Sequence, residues 1–314
     1  MGKTAFVFPG QGAQYVGMGK DFVDVFPVAK RIYEEASDYL KMDMYRLCSD
    51  GPKEELIKTE NTQPAILTTS FAMLKVIEEV GIPCHMTAGL SLGEYTSLVK
   101  AEVLSFRDAV QLVKKRGKYM QEAVPVGVGT MAAILGLDRD TLQKCLVNCQ
   151  EYGIVETANY NSPGQIVISG EVKAVERAVK EAMNFGAKKA VILPVSAPFH
   201  SSLLIPAGEK LRMDLEGYHF SDPEIPVVTN VKAKILKNKE EVVSSLVQQV
   251  SQSVLWEDSI VLMLNEGVET FVEIGPGKAL TGFIKRIAKQ LGKNVTTHQI
   301  EDVEGFNKVR SQYQ

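Results

Sequence analysis

The chain has 314 residues, of which 45% are hydrophobic and 23% are charged, and its formal net charge at pH 7 is −3. These values are typical of a globular protein and predict no general attraction to nucleic acid or to an anionic membrane. The N-terminal apolar stretch is too short for a signal peptide and no segment approaches the roughly 18 apolar residues of a membrane span, so we expect a cytoplasmic protein.

Apolar runs and helical patterns alternate in the first part of the chain. Strands are predicted at 4–8 and 84–88, each followed by a glycine-rich turn. The helical patterns cover 21–40, 63–80, a segment starting at 94, and 106–123. Alternation of this kind favours a parallel sheet with helices on both faces.

Residues 127–195 have a different order of predicted strands and helices. The predicted order is strand 131–135, helix 138–149, strands 155–160 and 165–169, helix 172–185 and strand 190–195. This β-α-β-β-α-β order is the ferredoxin-like pattern. We therefore expect a small ferredoxin-like (βαββαβ) domain at 126–198, inserted in a large domain formed by 1–125 and 199–314.

Strands and helices alternate again in the last part of the chain. Strands are predicted at 226–230 and 268–273, and helices at 203–215, 240–250, 257–266 and 279–291. With the first part, they predict an α/β-hydrolase-like domain that has a mostly parallel sheet. The polar end after about residue 301 predicts a weakly ordered tail.

The four cysteines do not suggest a metal site or a disulfide framework. Cys145 and Cys149 are spaced i, i+4 in a helical pattern, but no further histidine or cysteine completes a zinc site. Two packed thiols in a reducing compartment are the favoured interpretation.

Ser91 lies in the pentapeptide Gly89-Leu90-Ser91-Leu92-Gly93, which has the Gly-x-Ser-x-Gly pattern of a nucleophile elbow. A sharp strand-to-helix turn needs small flanking residues and leaves the serine hydroxyl projecting from the bend. Backbone N–H groups at the start of the helix favour a developing oxyanion. The alternative is a glycine-rich turn with a capping serine.

A serine nucleophile needs a general base, and the chain has four histidines. His85 begins the strand that leads to the turn, His219 lies in a predicted surface loop, and His298 lies among polar residues near the C-terminus. His200 lies between a strand end and a helix start, a usual place for catalytic groups. We therefore favour His200 as the base; the alternative is a helix-start histidine without chemistry.

The chain resembles the malonyl-CoA:acyl carrier protein transacylases, an acyltransferase family of fatty acid and polyketide synthesis. The motifs that carry the resemblance occur in family order over nearly the whole chain: Phe6-Val7-Phe8-Pro9-Gly10-Gln11-Gly12, the Ser91 turn with Gly93-Glu94-Tyr95, Arg116-Gly117, Asn159-Tyr160-Asn161-Ser162-Pro163-Gly164-Gln165, the His200 segment, and Glu273-Ile274-Gly275-Pro276-Gly277-Lys278.

The resemblance implies a role for each matching residue. Ser91 corresponds to the acylated serine and His200 to the general base. Gln11 and Leu92 correspond to the residues whose backbone N–H groups form the oxyanion hole. Gln249 corresponds to the residue that orients the histidine through its carbonyl, with the adjacent Gln248 as the alternative.

Basic residues also have counterparts in the family. Arg116 corresponds to the arginine that holds the malonyl carboxylate, whereas the surrounding Lys114-Lys115-Arg116-Gly117-Lys118 alone indicates an exposed basic helix face. Lys188 and Lys189 resemble positions near the coenzyme A or carrier-protein entrance, although a solvated lysine pair explains them equally well. One position departs from the family: Leu90 stands where a histidine is usual.

The resemblance implies malonyl-CoA as substrate and a transient complex with acyl carrier protein. It implies no metal and no tightly bound cofactor, and we expect a monomer that acts through a Ser–His dyad. The alternatives are a discrete polyketide-type acyltransferase, a serine thioesterase or hydrolase, and a non-catalytic docking domain of a synthase. Phe199 resembles the bulky residue of malonyl-selecting acyltransferases.

Overall fold

The computed structural model describes residues 2–195 and 197–313; Ser196, in the segment that leads to His200, lies outside them. The strands in these ranges are β1 Lys3–Phe8, β2 Met86–Gly89, β3 Gly129–Leu135, β4 Val155–Ser162, β5 Gln165–Glu171, β6 Lys189–Ile192, β7 Val227–Val228, β8 Val268–Ile274 and β9 Thr296–Ile300.

The helices connect these strands and cover both sheets. They are α1 Lys20–Val25, α2 Pro27–Leu40, α3 Met44–Ser49, α4 Lys53–Leu56, α5 Thr59–Val80, α6 Gly93–Lys100, α7 Phe106–Glu122, α8 Arg139–Val147, α9 Val172–Asn184, α10 Ile205–Leu215, α11 Val242–Ser251, α12 Trp256–Asn265, α13 Ala279–Gln290 and α14 Val303–Arg310. Short 3₁₀ turns cover Gln150–Tyr152, Ser202–Leu204 and Lys239–Glu241.

The first sheet is parallel and has the order β7-β2-β1-β8-β9 within the described ranges. The predicted parallel α/β sheet is therefore confirmed. Its central strand β1 is buried after its first residue, as an apolar run with helices on both faces requires. Because the strands are parallel, the loop after Phe8 and the turn after Gly89 lie at the same edge of the sheet.

The second sheet is antiparallel and has the order β4-β5-β3-β6. Helices α8 and α9 pack on it around a separate apolar core that includes both Cys145 and Cys149. The two thiols are buried, and Cys149 Sγ lies 3.3 Å from the Cys145 carbonyl oxygen. No cluster of metal-ligating side chains is found in the described residues.

Backbone hydrogen bonds and ion pairs join the antiparallel sheet to the segment around α12. The Tyr160 N–H donates to the Val254 carbonyl at 2.9 Å, which ties β4 to the segment before α12. Arg139, at the start of α8, pairs with Glu257 and Asp258 at the start of α12. The antiparallel sheet is thus held against the part of the chain that follows His200.

Two predicted helix boundaries are wrong. The helical pattern at 21–40 is divided between α1 and α2, because Phe26 has an extended backbone and Pro27 begins the second helix. The pattern at 63–80 belongs to a helix that already begins at Thr59 and contains Pro64. The sequence analysis also missed α3, α4 and β9, which are short or mainly polar.

The predicted weakly ordered tail is wrong as well. After β9, Asp302 caps α14 by accepting a hydrogen bond from the Gly305 N–H. Phe306 is 1% exposed and packs against the rings of Phe22 and Phe26. Two buried apolar residues in an otherwise polar segment were too weak a pattern to predict this helix.

None of the helices in the described part of the chain combines the length and the apolar character that crossing a membrane requires.

We expect Phe306→Ala to lower the free energy of unfolding by about 3–5 kcal/mol, because it removes a buried aromatic ring and leaves a cavity. Urea unfolding followed by circular dichroism measures this change. Asn307→Ala, at an exposed position of the same helix, serves as the control. Equal stability of the two variants would show that α14 does not contribute to the core.

Candidate active site

Ser91 occupies the bend between β2 and α6 with a φ of 53°, which a side-chain-bearing residue rarely adopts. The flanking glycines make the bend sterically possible. A Cβ at Gly89 would lie 1.9 Å from the Gly93 carbonyl carbon, and one at Gly93 would lie 2.2 Å from the Phe8 carbonyl oxygen. The predicted order of strand, tight turn and helix around Ser91 is therefore present.

Asn230 holds both sides of this bend. Its Nδ2 donates to the Gly89 carbonyl at 2.7 Å, and its Oδ1 accepts from the Ser91 N–H at 2.6 Å. The sequence analysis did not single out Asn230. A signal was available, because it ends the predicted strand 226–230 and β7 lies beside β2 in the parallel sheet.

The hydroxyl of Ser91 meets the imidazole of His200. Ser91 Oγ lies 2.8 Å from His200 Nε2, and His200 Nδ1 lies 2.7 Å from the main-chain carbonyl oxygen of Gln249. A carbonyl only accepts hydrogen bonds, so Nδ1 carries the proton and Nε2 presents its lone pair to Ser91. Within the described chain no carboxylate contacts this ring.

Burial controls the protonation of His200. The residue is 5% exposed, and burial together with the nearby Arg116 guanidinium lowers the pKa of its imidazole to about 4. Both causes disfavour the imidazolium. The ring is therefore neutral at pH 7, as a proton acceptor must be.

Arg116 is not on an exposed basic face: it is 1% exposed although it lies beside exposed lysines on α7. Its guanidinium donates to Gln63 Oε1 at 2.7 Å, to Ser91 Oγ at 3.1 Å and to Gln249 Oε1 at 3.0 Å. The surface interpretation is therefore wrong. Gly117 permits the burial, because a Cβ there would lie 2.5 Å from the Thr59 carbonyl of the adjoining α5.

The charge of Arg116 has no direct partner. No carboxylate in the described residues lies within 4.0 Å of the guanidinium nitrogens, and Nε has no hydrogen-bond partner there. Its hydrogen-bond partners are neutral amide and hydroxyl groups, and the buried Glu94 carboxylate acts on it only from beyond ion-pair distance. A buried cation surrounded in this way favours an incoming anion.

Gln249 contacts three of the predicted site residues. Besides the carbonyl bond to His200, its side-chain Oε1 accepts from Arg116 and its Nε2 donates to the Ser91 carbonyl at 3.0 Å. The adjacent Gln248 is half-buried and has none of these contacts. Of the two candidate glutamines, the structure brings Gln249 to the histidine.

The other predicted residues lie at different distances from this centre. Gln11 follows β1 and Leu92 begins the turn into α6, both at the edge of the sheet where Ser91 lies. Neither backbone N–H donates to an acceptor in the described protein. Leu90 packs between Gly10 and the core around β1, where its carbonyl and Cδ2 leave no room for a Cβ at residue 10.

Lys188 lies directly before β6 and Lys189 is its first residue; both are exposed, whereas the chain reaches His200 from the other end of that strand. The structure does not bring these lysines into contact with Ser91 or Arg116.

Glu94 is a further residue that the sequence analysis missed as part of the site. It lies in the first turn of α6, is fully buried, and its Oε2 accepts from the Asn230 N–H at 3.0 Å and from Gln249 Nε2 at 2.7 Å. Burial raises the pKa of its carboxyl group to about 7. Its place directly after the Ser91 turn is the available signal, but the sequence analysis names it only as a helix start and as part of the motif that follows Ser91, without a role of its own.

The chain is similar to known proteins over nearly its whole length. The family model described as acyl transferase domain matches residues 5–307. The malonyl CoA-acyl carrier protein transacylase of Bacillus subtilis (strain 168) is 47% identical over 305 residues, which are 97% of this chain and 96% of that protein.

Solved structures show the same likeness. The malonyl CoA-acyl carrier protein transacylase from Clostridium perfringens has a TM-score of 0.94 at 46% identity, with 99% of this chain and 96% of that chain covered. A malonyl-transacylase in complex with its type II PKS acyl-carrier protein has a TM-score of 0.95 at 42% identity, with 99% of each chain covered.

The pH dependence of Ser91 reactivity tests the state of His200. Because only the neutral imidazole accepts the serine proton, we expect the rate of Ser91 modification by a sulfonyl fluoride to rise through about pH 4 and to stay level near neutrality. Mass spectrometry over a pH series measures this rate, with circular dichroism to verify folding and Ser91→Ala as the unreactive control. A midpoint near the ordinary 6.5 would contradict the lowered pKa.

Proposed function

The chain belongs to the acyl transferase family, and within it to the malonyl-CoA:acyl carrier protein transacylases. We propose that it moves malonyl groups from coenzyme A to the phosphopantetheine thiol of acyl carrier protein. Such transfer supplies fatty acid synthesis. The observation that carries this proposal is the position of one hydroxyl: Ser91 Oγ is 2.8 Å from a neutral imidazole and 3.1 Å from a buried guanidinium.

In the first proposed step, Ser91 Oγ attacks the thioester carbonyl carbon of malonyl-CoA while His200 Nε2 takes the hydroxyl proton. The tetrahedral intermediate collapses, the carbon–sulfur bond breaks, and His200 returns the proton to the coenzyme A thiolate. The malonyl group is then held on Ser91 as an ester.

In the second proposed step, the carrier-protein thiol attacks the ester carbonyl while His200 takes the thiol proton. The carbon–oxygen bond breaks, and His200 returns the proton to Ser91 Oγ. The product is a malonyl thioester, so atoms and charge balance and the free enzyme is restored. Two half-reactions through one acyl-enzyme give ping-pong kinetics.

Two backbone N–H groups are proposed to stabilise the oxyanion of each step. The N–H groups of Gln11 and Leu92 have no protein acceptor in the described chain, which leaves them available to an oxygen beside Ser91. Each such donor contributes a factor on the order of 10²–10³ in rate. The Gln249 carbonyl would keep His200 in the tautomer that both steps need.

Arg116 is proposed to bind the malonyl carboxylate. A guanidinium can hold a carboxylate through two parallel hydrogen bonds, and here it would replace contacts to neutral groups by an ion pair. An acetyl group would leave the buried charge without a partner. Phe199, which is buried next to His200, is proposed to exclude acyl groups with a methyl branch.

Several finer expectations belong to the same proposal. We propose that the antiparallel sheet with α8 and α9 is the ferredoxin-like insertion at 126–198, and that 1–125 and 199–314 form the α/β-hydrolase-like part. A role for Lys188 and Lys189 toward coenzyme A or carrier protein stays a prediction. The cytoplasmic location, the monomeric state and the absence of a tightly bound cofactor, metal, nucleic acid and membrane partner also stay predictions.

Incubation with malonyl-CoA tests the acyl-enzyme. We expect intact-protein mass spectrometry to detect a malonyl adduct on the wild type and none on Ser91→Ala, because the ester oxygen is removed. Carrier protein should discharge the adduct to form malonyl carrier protein. An adduct on the variant would remove Ser91 from the mechanism, and equal release of free malonate with and without carrier protein would indicate a hydrolase.

Substitution of the guanidinium tests acyl-group selection. Arg116→Ala should lower kcat/KM for malonyl transfer by about 10²-fold, the order expected when one partner of a buried charge pair is removed, and should spare or raise acetyl transfer. Lys118→Ala, on an exposed face of the same helix, is the matched control. Parallel assays with radiolabelled malonyl-, methylmalonyl- and acetyl-CoA measure the effect, and unchanged malonyl transfer would refute the carboxylate role.

A further inference from the structure

Glu94 is a buried carboxylate that none of the steps proposed above uses. Both N–H donors that reach it, the Asn230 main chain and Gln249 Nε2, bond to the same oxygen, Oε2. No lysine, arginine or histidine in the described ranges lies within ion-pair distance of it. Besides the Ser245 hydroxyl, its contacts are therefore with two residues that hold Ser91, His200 and Arg116.

Glu94 is one of two acceptors that orient the Gln249 amide. That amide has one donating end and one accepting end. Glu94 Oε2 faces the donating end at 2.7 Å and the Ser91 carbonyl faces it at 3.0 Å. The accepting end, Oε1, is then directed at the Arg116 guanidinium, 3.0 Å away.

The opposite orientation of the amide would be unfavourable at both ends. Nε2 would face the guanidinium, so that two groups that only donate would be in contact. Oε1 would face Glu94 Oε2, so that two accepting oxygens would be in contact. Buried polar groups without a suitable partner cost about 1–3 kcal/mol each. Glu94 and the Ser91 carbonyl thus set together which end of the Gln249 amide faces Arg116, and Glu94 makes the shorter of the two contacts.

We propose that Glu94 is a positioning residue that, through Gln249, fixes the guanidinium of Arg116 in the orientation that binds a dicarboxylic acyl group. The inference rests on the proposed malonyl transfer. It assigns to Glu94 an effect on the choice of acyl group, because an acetyl group has no carboxylate for the guanidinium to bind.

The second contact of Glu94 has a different expected effect. Asn230 holds the Ser91 turn through its side chain and meets Glu94 through its main-chain N–H. Disturbance of this contact would shift the nucleophile, which malonyl and acetyl transfer use equally. The ratio of kcat/KM for malonyl to that for acetyl therefore isolates the contact through Gln249 from the contact through Asn230.

The experiment compares Glu94→Ala with Glu94→Gln in the full-length protein, using malonyl-CoA, acetyl-CoA and a holo carrier protein. Glu94→Ala removes the acceptor, so the malonyl-to-acetyl ratio should fall at least about tenfold. Glu94→Gln keeps one acceptor oxygen, and the Ser245 hydroxyl that bonds the carboxylate can also accept from an amide. It should retain the ratio within about threefold. A tenfold or greater fall of the malonyl-to-acetyl ratio in a folded Glu94→Gln variant would overturn the inference.

A double-substitution cycle tests whether Glu94 acts through Gln249. Gln249→Leu removes the side-chain amide and leaves the main-chain carbonyl that contacts His200. We expect this variant to lose the malonyl preference, and Glu94→Ala to add no further loss of the ratio in its presence. Additive losses would mean that Glu94 acts by another path and would overturn the inference.

Glu273→Ala is the matched control, because Glu273 is an equally buried carboxylate that instead accepts from the N–H groups of Leu280 and Thr281. It should lower the melting temperature without changing the ratio. If the wild type transfers no malonyl group, the proposed function fails. If the wild type transfers malonyl and Glu94→Ala keeps its ratio, only the inference about Glu94 fails.

Discussion

Burial of the Arg116 guanidinium is the constraint on which the rest of the site depends. A charge removed from water without a carboxylate partner must be held by every available neutral acceptor, and here Gln63, Gln249 and Ser91 supply them. The same cation lowers the pKa of the proposed base, His200. Burial of the imidazole is the larger cause of its neutral state, and the buried guanidinium adds to it. The same guanidinium favours binding of an anion beside the Ser91 hydroxyl.

The main chain positions the Ser91 hydroxyl and the His200 imidazole relative to each other. Ser91 and His200 both have positive φ angles, so each side chain projects from a bend toward the other. The partner of His200 Nδ1 is a main-chain carbonyl, which has no proton to titrate and is present whatever side chain occupies position 249. Neither a change of pH nor a substitution at position 249 therefore removes this acceptor.

The parallel sheet and the turn at Ser91 could be predicted from the sequence, because short glycine patterns and apolar runs are local signals. His200 was favoured by its place in the chain, whereas Arg116 and Gln249 followed only from the family resemblance. The roles of Asn230 and Glu94 in the site could not be predicted, because they depend on contacts with residues far away in the chain. Arg116 shows the limit most clearly. Its neighbours in the sequence are exposed lysines, and only the close approach of α5 and α7 at Gly117 makes it a buried residue.

The hydrogen bond between Gln249 and the Ser91 carbonyl joins positions 158 residues apart. During synthesis, Arg116 leaves the ribosome long before the glutamine that will accept its hydrogen bond. Until then only two of its three acceptors, Gln63 and Ser91, are present, so closure of helices α5 and α7 over the guanidinium would leave one buried donor without its partner. The acyl site is therefore completed late in folding, and no amino-terminal fragment that stops before α11 can contain it.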